Sequence, residues 1–424
     1  MSICYDYVRP HKAEAVKKWY DKEFIKRDIL RCYQYSAATI LPLKTMANDN
    51  LLFGRGGVVD ENGAYIAESG IPGRVFSSYE INESLYKDER VVYCGYLVPH
   101  WGHFLVESVT RLWYFQKNDS SIDKYVFFIE ENAERTISGN YREFLELLGV
   151  WNKLEIINAP TKYKEVIVPE RGFKMGQYWS DEFKSIYSAV ADAALTNNTS
   201  HIQYSKKVFL SRSQLKAFSY KEFNMDMLDD FFQKNGYKVV FPEKESLSDL
   251  IRILCNAETV ATLSGSIQHN LLFARDALEQ IVIEKTAVTV DFVRDITRLK
   301  GFNTTLIDAN ICVYPVNIGF GPFIMCYSGM LQKFAEAKGY LPADPGFENK
   351  KRMKKILCMY FKAYRDAYQK KWYMEEWEAK DFALTIREAV NDGYTYFEPY
   401  LSGKKPFLIT DYFNLRFIKR LIRK

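Results

Sequence analysis

The apolar and polar positions of the chain change period repeatedly, and one change is sharper than the rest. Residues 93–98 form a short apolar and aromatic run of strand type. Pro99 and Gly102 interrupt it. From His103 the period is helical: at about 100° per residue, Leu105, Val109, Leu112 and Trp113 share one face, and His103, Glu107, Thr110 and Arg111 share the other. The expected unit is strand, tight turn, helix. A polar stripe of this kind is ordinarily a solvated face with a Glu107–Arg111 pair. It also fits a histidine at a strand-to-helix corner oriented by a carboxylate one turn on, an arrangement suited to a general base.

Upstream, 13–32 has a basic helical period, and 55–66 reads as a hairpin with Asn62-Gly63 at its turn. Downstream, strands are expected over 124–129, 154–157 and 165–168. A helix over 141–148 should end at Gly149, and one over 180–195 should be capped by Ser180. The polar stretch 196–200 reads as a domain boundary. Beyond it, strands at 207–210, 237–241, 259–263 and 280–283 alternate with helices at 226–235, 246–256 and 267–275. That alternation predicts a doubly wound parallel sheet, which binds ligands at the carboxyl ends of its strands.

Two loops at such ends carry chemistry. Ser264-Gly265-Ser266 closes a strand and opens a helix. Such a turn either caps the helix or presents N–H groups to a phosphate. Ser211-Arg212-Ser213 ends a neighbouring strand, where Arg212 suits a pyrophosphate, although a surface arginine has the same signature. Glu243, after the following strand, is placed to hold ribose hydroxyls or to lie on an exposed acidic loop. His269 and Asn270, one turn into the last helix, either face the ligand or form a core pair.

Length and composition narrow the class. With 424 residues, 47% hydrophobic and 26% charged, the chain is globular and long enough for two to three domains. Its basic excess lies in 403–424, where seven Lys and Arg face Asp411 alone. The remaining body is near neutral, which argues against a nucleic-acid partner. Seven cysteines without a CxxC spacing point to reduced thiols, not a disulfide frame or zinc site. With no signal-peptide core and no apolar run of membrane-spanning length, a cytoplasmic protein is expected. Residues 415–424 interleave apolar and basic side chains. They suit either an anionic membrane surface or a closing helix packed on the body.

The stretch Gly102-His103-Phe104-Leu105-Val106-Glu107 to Arg111-Leu112-Trp113 resembles the motif of glycosyltransferase family 61, the DUF563 family. So does the order of pieces around it, from the Gly56-Gly57-Val58-Val59 hairpin through Ser211-Arg212, Gly236-Tyr237-Lys238-Val239-Val240 and Pro242-Glu243 to Ala257–Asn270. The resemblance covers about 50–285. Where the family commonly has a histidine before the loop glycine, this chain has Ser264, with His269 downstream. The usual Arg-x-x-Asn-Glu is here Lys221-Glu222-Phe223-Asn224-Met225, as in a divergent, bacterial polysaccharide-synthesis branch.

The resemblance implies an α/β, GT-B-like fold of two Rossmann-like domains facing a cleft. The expected units are an acceptor-side domain over 1–200, a nucleotide-sugar-binding domain over 201–300 and a helical extension over 301–424. It implies inverting transfer from a nucleotide sugar, UDP-linked, to a capsular or cell-surface polysaccharide on a glycan or lipid-linked acceptor. His103 is then the expected base, with Glu107 orienting it and Arg111 supporting. Arg212, Ser213, Glu243, Ser264, Gly265, Ser266, His269 and Asn270 are the expected donor contacts. Asp226-Met227-Leu228-Asp229-Asp230 reads as the face of a helix, so no metal is expected. The rival readings are a sugar-phosphate transferase and a non-catalytic nucleotide-sugar or glycan-binding subunit. The tail then suits the inner face of the plasma membrane.

Overall fold

The computed structural model describes residues 1–45, 55–70, 77–196, 203–216, 221–285, 291–311 and 323–343, with a few positions between 355 and 391. The basic tail 403–424, the polar stretch 197–200 and most of the expected helical extension beyond 343 lie outside the described residues.

The chain is a mixed α/β protein with two large sheets. The first holds Arg55–Val59, Thr39–Lys44, Thr161–Pro169, Leu85–Tyr96, Lys124–Phe128 and Leu154–Ile157 in that order, and Cys32–Ser36 also pairs with Thr161–Pro169. Its four strands from Thr161–Pro169 to Leu154–Ile157 are mutually parallel. The others add antiparallel, so the sheet is mixed. The Asn62-Gly63 turn forms as expected: Asp60 N donates to Ala64 O at 2.9 Å, and Gly63 takes φ +82°, open to glycine without strain.

The second sheet is parallel throughout. Its order is Ile3–Tyr7, Asn303–Asp308, Glu279–Glu284, Thr259–Leu263, Lys207–Leu210, Lys238–Val240. Counted from Lys207–Leu210, its five later strands have the order 2-1-3-4-5. The order reverses between Lys207–Leu210 and Thr259–Leu263, where a doubly wound sheet opens a crevice at its strand ends. The first strand of the chain therefore bonds within the second sheet, although it lies in the expected 1–200 unit. The helix Pro10–Tyr20 follows it, packing Val16 and Tyr20 against Val282, Val293 and Leu306. The expected helical extension likewise begins with Asn303–Asp308, an inner strand of that sheet.

One continuous core joins the two sheets. It includes Val92 and Phe127 of the first, Val208 and Val260 of the second, and buried side chains from the helices Gly139–Leu148, Asp181–Thr196 and Leu247–Asn256. Polar bonds reinforce the join: Glu143 accepts from the backbone N–H of Leu247 at 2.9 Å and of Ser248 at 2.8 Å, and Arg252 Nε donates to Ala194 O at 3.0 Å. Ser180 caps its helix as expected, accepting from Phe183 N, and Ser246 caps Leu247–Asn256, accepting from Asp249 N. Gly149 ends Gly139–Leu148 in the left-handed region. Among the described residues, no helix is long and apolar enough to cross a membrane.

Candidate active site between the two sheets

The first wall is the strand-to-helix corner. Leu85–Tyr96 is longer than the apolar run alone indicates, and its register shifts between Tyr93 and Gly95. Gly95 takes φ +98° there; a bulge of this kind bends the strand and re-aims the residues beyond it. The helix Trp101–Val106 comes next. It does not run on through Arg111. Glu107 leaves helical geometry at φ −125°, ψ −52°, and Ser108–Lys117 is a 3-10 segment. With three residues per turn, Arg111 leaves the His103–Glu107 stripe. It is buried and donates to Pro169 O and, at 2.6 Å, to Glu68 O.

His103 and Glu107 do meet: Nδ1 and Oε1 are 2.9 Å apart, with side chains 42% and 14% exposed. The His100 ring stands edge-on to His103, centroids 5.0 Å apart. Burial, and then His103 and Arg212, lower the pKa of His100, so this imidazole is neutral at pH 7.

The second wall stands at the switch point of the parallel sheet. Arg212 follows Lys207–Leu210, Lys285 follows Glu279–Glu284, and both reach the carboxylate of Glu222. Lys285 Nζ lies 2.7 Å from Glu222 Oε1, and all three side chains are buried. Burial alone would raise the pKa of Glu222; Lys285 and Arg212 outweigh it and hold the carboxyl ionised. Burial pulls Lys285 down to about 8 despite Glu222, with Arg212 adding to the effect. The trio keeps one net positive charge beside Gly265. A Cβ there would lie 3.3 Å from Lys285 Nζ and 3.7 Å from Arg212 Nη2, and Gly265 itself has φ +132°. Bare backbone is therefore what meets the two cations. Arg212 Nη1 also reaches Ser266 Oγ at 3.4 Å.

Between the walls lies a cleft of about 250 Å³. His100, Trp101, Gly102 and Asn140 line it from the first side; Arg212, Glu243, Ser266 and Asn270 face them from the second. Trp101 Nε1 spans the walls, donating to Asn270 Oδ1 at 2.9 Å.

The expected donor contacts thus divide. Arg212, Glu243, Ser266 and Asn270 line the cleft. Ser264 is buried, with its Oγ accepting from Lys285 N at 3.3 Å. Ser213 does not line the cleft, and its N donates to Ser211 Oγ at 3.1 Å. His269 lies in the core, where burial, His103 and His100 lower its pKa to about 3. Four participants were not expected from sequence: His100, Trp101, Asn140 and Lys285. Lys285 carried a usable signal, since it stands where an apolar strand run meets a carboxyl end. Asn140 carried none, because its place depends on how the two sheets meet. Among the described residues, no group of three or more His, Cys, Asp or Glu side chains is arranged to hold a metal ion.

No curated protein sequence matches the chain. A family does: residues 101–281, running from the helix beside the His103–Glu107 pair to the strand before Lys285, match the family described as Glycosyltransferase 61. This stretch, which holds most of both walls of the cleft, is where the chain is similar to the family-61 glycosyltransferases.

Proposed function

We propose that the protein is an inverting glycosyltransferase of GT-B-like architecture. It moves a sugar from a nucleotide-sugar donor, UDP-linked, to a growing capsular or cell-surface glycan at the cytoplasmic face of the membrane. The observation that carries this reading is the cleft itself, with a carboxylate-paired histidine corner on one side and a buried cationic pair on the other. His103 Nδ1–H donates to Glu107, which leaves Nε2 to take the acceptor proton. The acceptor oxygen attacks the anomeric carbon as the bond to the diphosphate breaks on the opposite face. Arg212, Lys285 and the N–H groups around Gly265 and Ser266 meet the charge that develops on the leaving phosphate. Glu243 suits the ribose hydroxyls. The chemistry needs no metal, because the cations are supplied by side chains.

One observation favours a second assignment of the base: His100, unlike His103, lines the cleft, and it is neutral. Comparing His100→Ala with His103→Ala separates the two. Nucleotide sugars provide the broader test. The right donor at about 100 times its dissociation constant should stabilise the protein by about 2.7 kcal/mol. Donor plus acceptor should then release a nucleoside diphosphate. Release of a monophosphate would instead identify a sugar-phosphate transferase. Stabilisation with no product under any acceptor would leave a binding subunit.

A further inference from the structure

The turn after Thr161–Pro169 is fastened to the segment that follows the corner helix. Gly172 N donates to Thr110 O at 2.8 Å, and Trp113 Nε1 donates to Glu170 O at 2.9 Å. These two bonds hold the turn in place without the side chain of Arg171. What the Arg171 guanidinium adds ends on one point. Its Nη2 donates to Glu107 O at 3.2 Å, and its Nε reaches Thr110 Oγ1 at 3.2 Å. Thr110 Oγ1 in turn donates to Glu107 O at 2.9 Å.

Glu107 is the residue at which the backbone leaves the helix. Its conformation is therefore not set by helical bonding alone, and the direction of its side chain depends on what grips its carbonyl. Arg171 is buried. Burial and Arg111 lower its pKa to about 10, and Glu107 is the first charge opposing them, so it stays a cation beside that carboxylate at neutral pH.

We infer that Arg171 is a positioning residue: by gripping the Glu107 carbonyl where the helix ends, it aims the Glu107 carboxylate at His103 and so sets the imidazole for proton transfer. The inference rests on His103 being the base.

The test compares Arg171→Ala, Arg171→Lys, Glu107→Gln and the Arg171→Ala/Glu107→Gln double variant in steady-state transfer, with His103→Ala as the reference. Misplacing a reacting group by about 1 Å can cost up to about 10²-fold. Arg171→Ala should lower kcat by about 10-fold to 10²-fold with the donor KM within about twofold, the split expected when only transition-state geometry is lost. Guanidinium ion at low millimolar concentration should restore part of the rate in Arg171→Ala, which repair of a merely loosened fold would not do. The double variant should be no slower than the worse single one, because both changes spoil the same pair. If Arg171→Ala does not fold, Arg171→Lys keeps the charge but loses the two-point grip, and it should show the same kcat-only loss. An Arg171 variant within twofold of wild type, or losses that multiply in the double variant, would overturn the inference. If His103→Ala keeps wild-type turnover, the assignment of the base fails instead.

Discussion

His103 Nδ1 and Glu107 Oε1 stand 2.9 Å apart across the point where their helix has already ended. The pair keeps helical spacing because Glu107 N still donates to His103 O at 2.7 Å, although the Glu107 φ of −125° no longer belongs to the helix. A side chain at such a break can be oriented independently of the segment after it. This separates Glu107, which faces the histidine, from Arg111, which is buried against Pro169 O and Glu68 O.

Removing a general base costs about 10²–10⁴-fold in rate. His103→Ala should lose at least about 10²-fold in kcat while binding donor as the wild type does. Glu107→Gln keeps a hydrogen-bond acceptor and should lose less. Single-turnover transfer with pre-bound donor measures the step directly. Turnover of His103→Ala within a few-fold of wild type would move the base to His100.

Gly102 packs against the ring of His269 with no room to spare. A Cβ at position 102 would collide with His269 Nδ1 and lie 3.0 Å from Cε1 and 3.2 Å from Ser266 Cβ. His269 is itself buried and cannot swing away. Overpacking of this kind typically costs about 1–3 kcal/mol, so Gly102→Ala should melt several degrees lower. It should also lose activity, because the collision pushes the His100–His103 corner out of the cleft. Adding His269→Ala removes the obstacle and should recover most of the lost melting temperature. No recovery would mean that Gly102 is needed for another reason.

Some of this was legible in sequence. The strands Lys207–Leu210 and Thr259–Leu263 are buried on both faces, so they read as continuous apolar runs. Ser180 and Gly149 act through local backbone chemistry and stand where expected. The 3-10 character of 108–117 was not legible, because over ten residues one apolar stripe fits three residues per turn nearly as well as 3.6. Arg111 read as exposed because a charge in sequence gives no sign that two distant carbonyls await it. His269 and Asn270 are adjacent, yet one is in the core and the other in the cleft. That division depends on where the first sheet's helix meets the second sheet, as does the pairing of Ile3–Tyr7 with Asn303–Asp308.

Glu143 is a three-bonded polar link between the two halves of the core. Its carboxylate accepts from Leu247 N and Ser248 N, and from the Ser248 hydroxyl. It thus caps, from across the interface, the first turn of the helix Leu247–Asn256. Caps and helix-end charges contribute about 0.5–2 kcal/mol, so Glu143→Ala should destabilise the protein by about that amount in a denaturant titration. With a continuous core behind this cap, the two sheets should unfold in one transition. Two separated transitions in the wild type would show that the interface is weaker than its bonds indicate.

The last prediction concerns pH and the diphosphate. Lys285 has a pKa near 8 in the free protein, chiefly through burial. The charged groups facing it are Glu222, Arg212 and Glu284. A diphosphate on the Arg212–Lys285 pair adds negative charge and raises that pKa. Binding therefore takes up a proton wherever the free Lys285 is neutral. Affinity is full below about pH 8 and falls as pH rises through it. From pH 7 to pH 9 the dissociation constant of a nucleoside diphosphate should rise by up to about tenfold. Glu284 titrates in the same range: burial, then Asp308, raise it to about 8, and its ionisation would also disfavour an anion. Glu284→Gln removes that contribution and should keep most of the slope. Lys285→Gln should bind more weakly at pH 7 and show little slope beyond what Glu284 supplies. Calorimetric titration in buffers of different ionisation enthalpy gives the affinity and the proton uptake together. If the wild type binds equally well at pH 7 and pH 9 with no proton uptake, Lys285 does not touch the diphosphate.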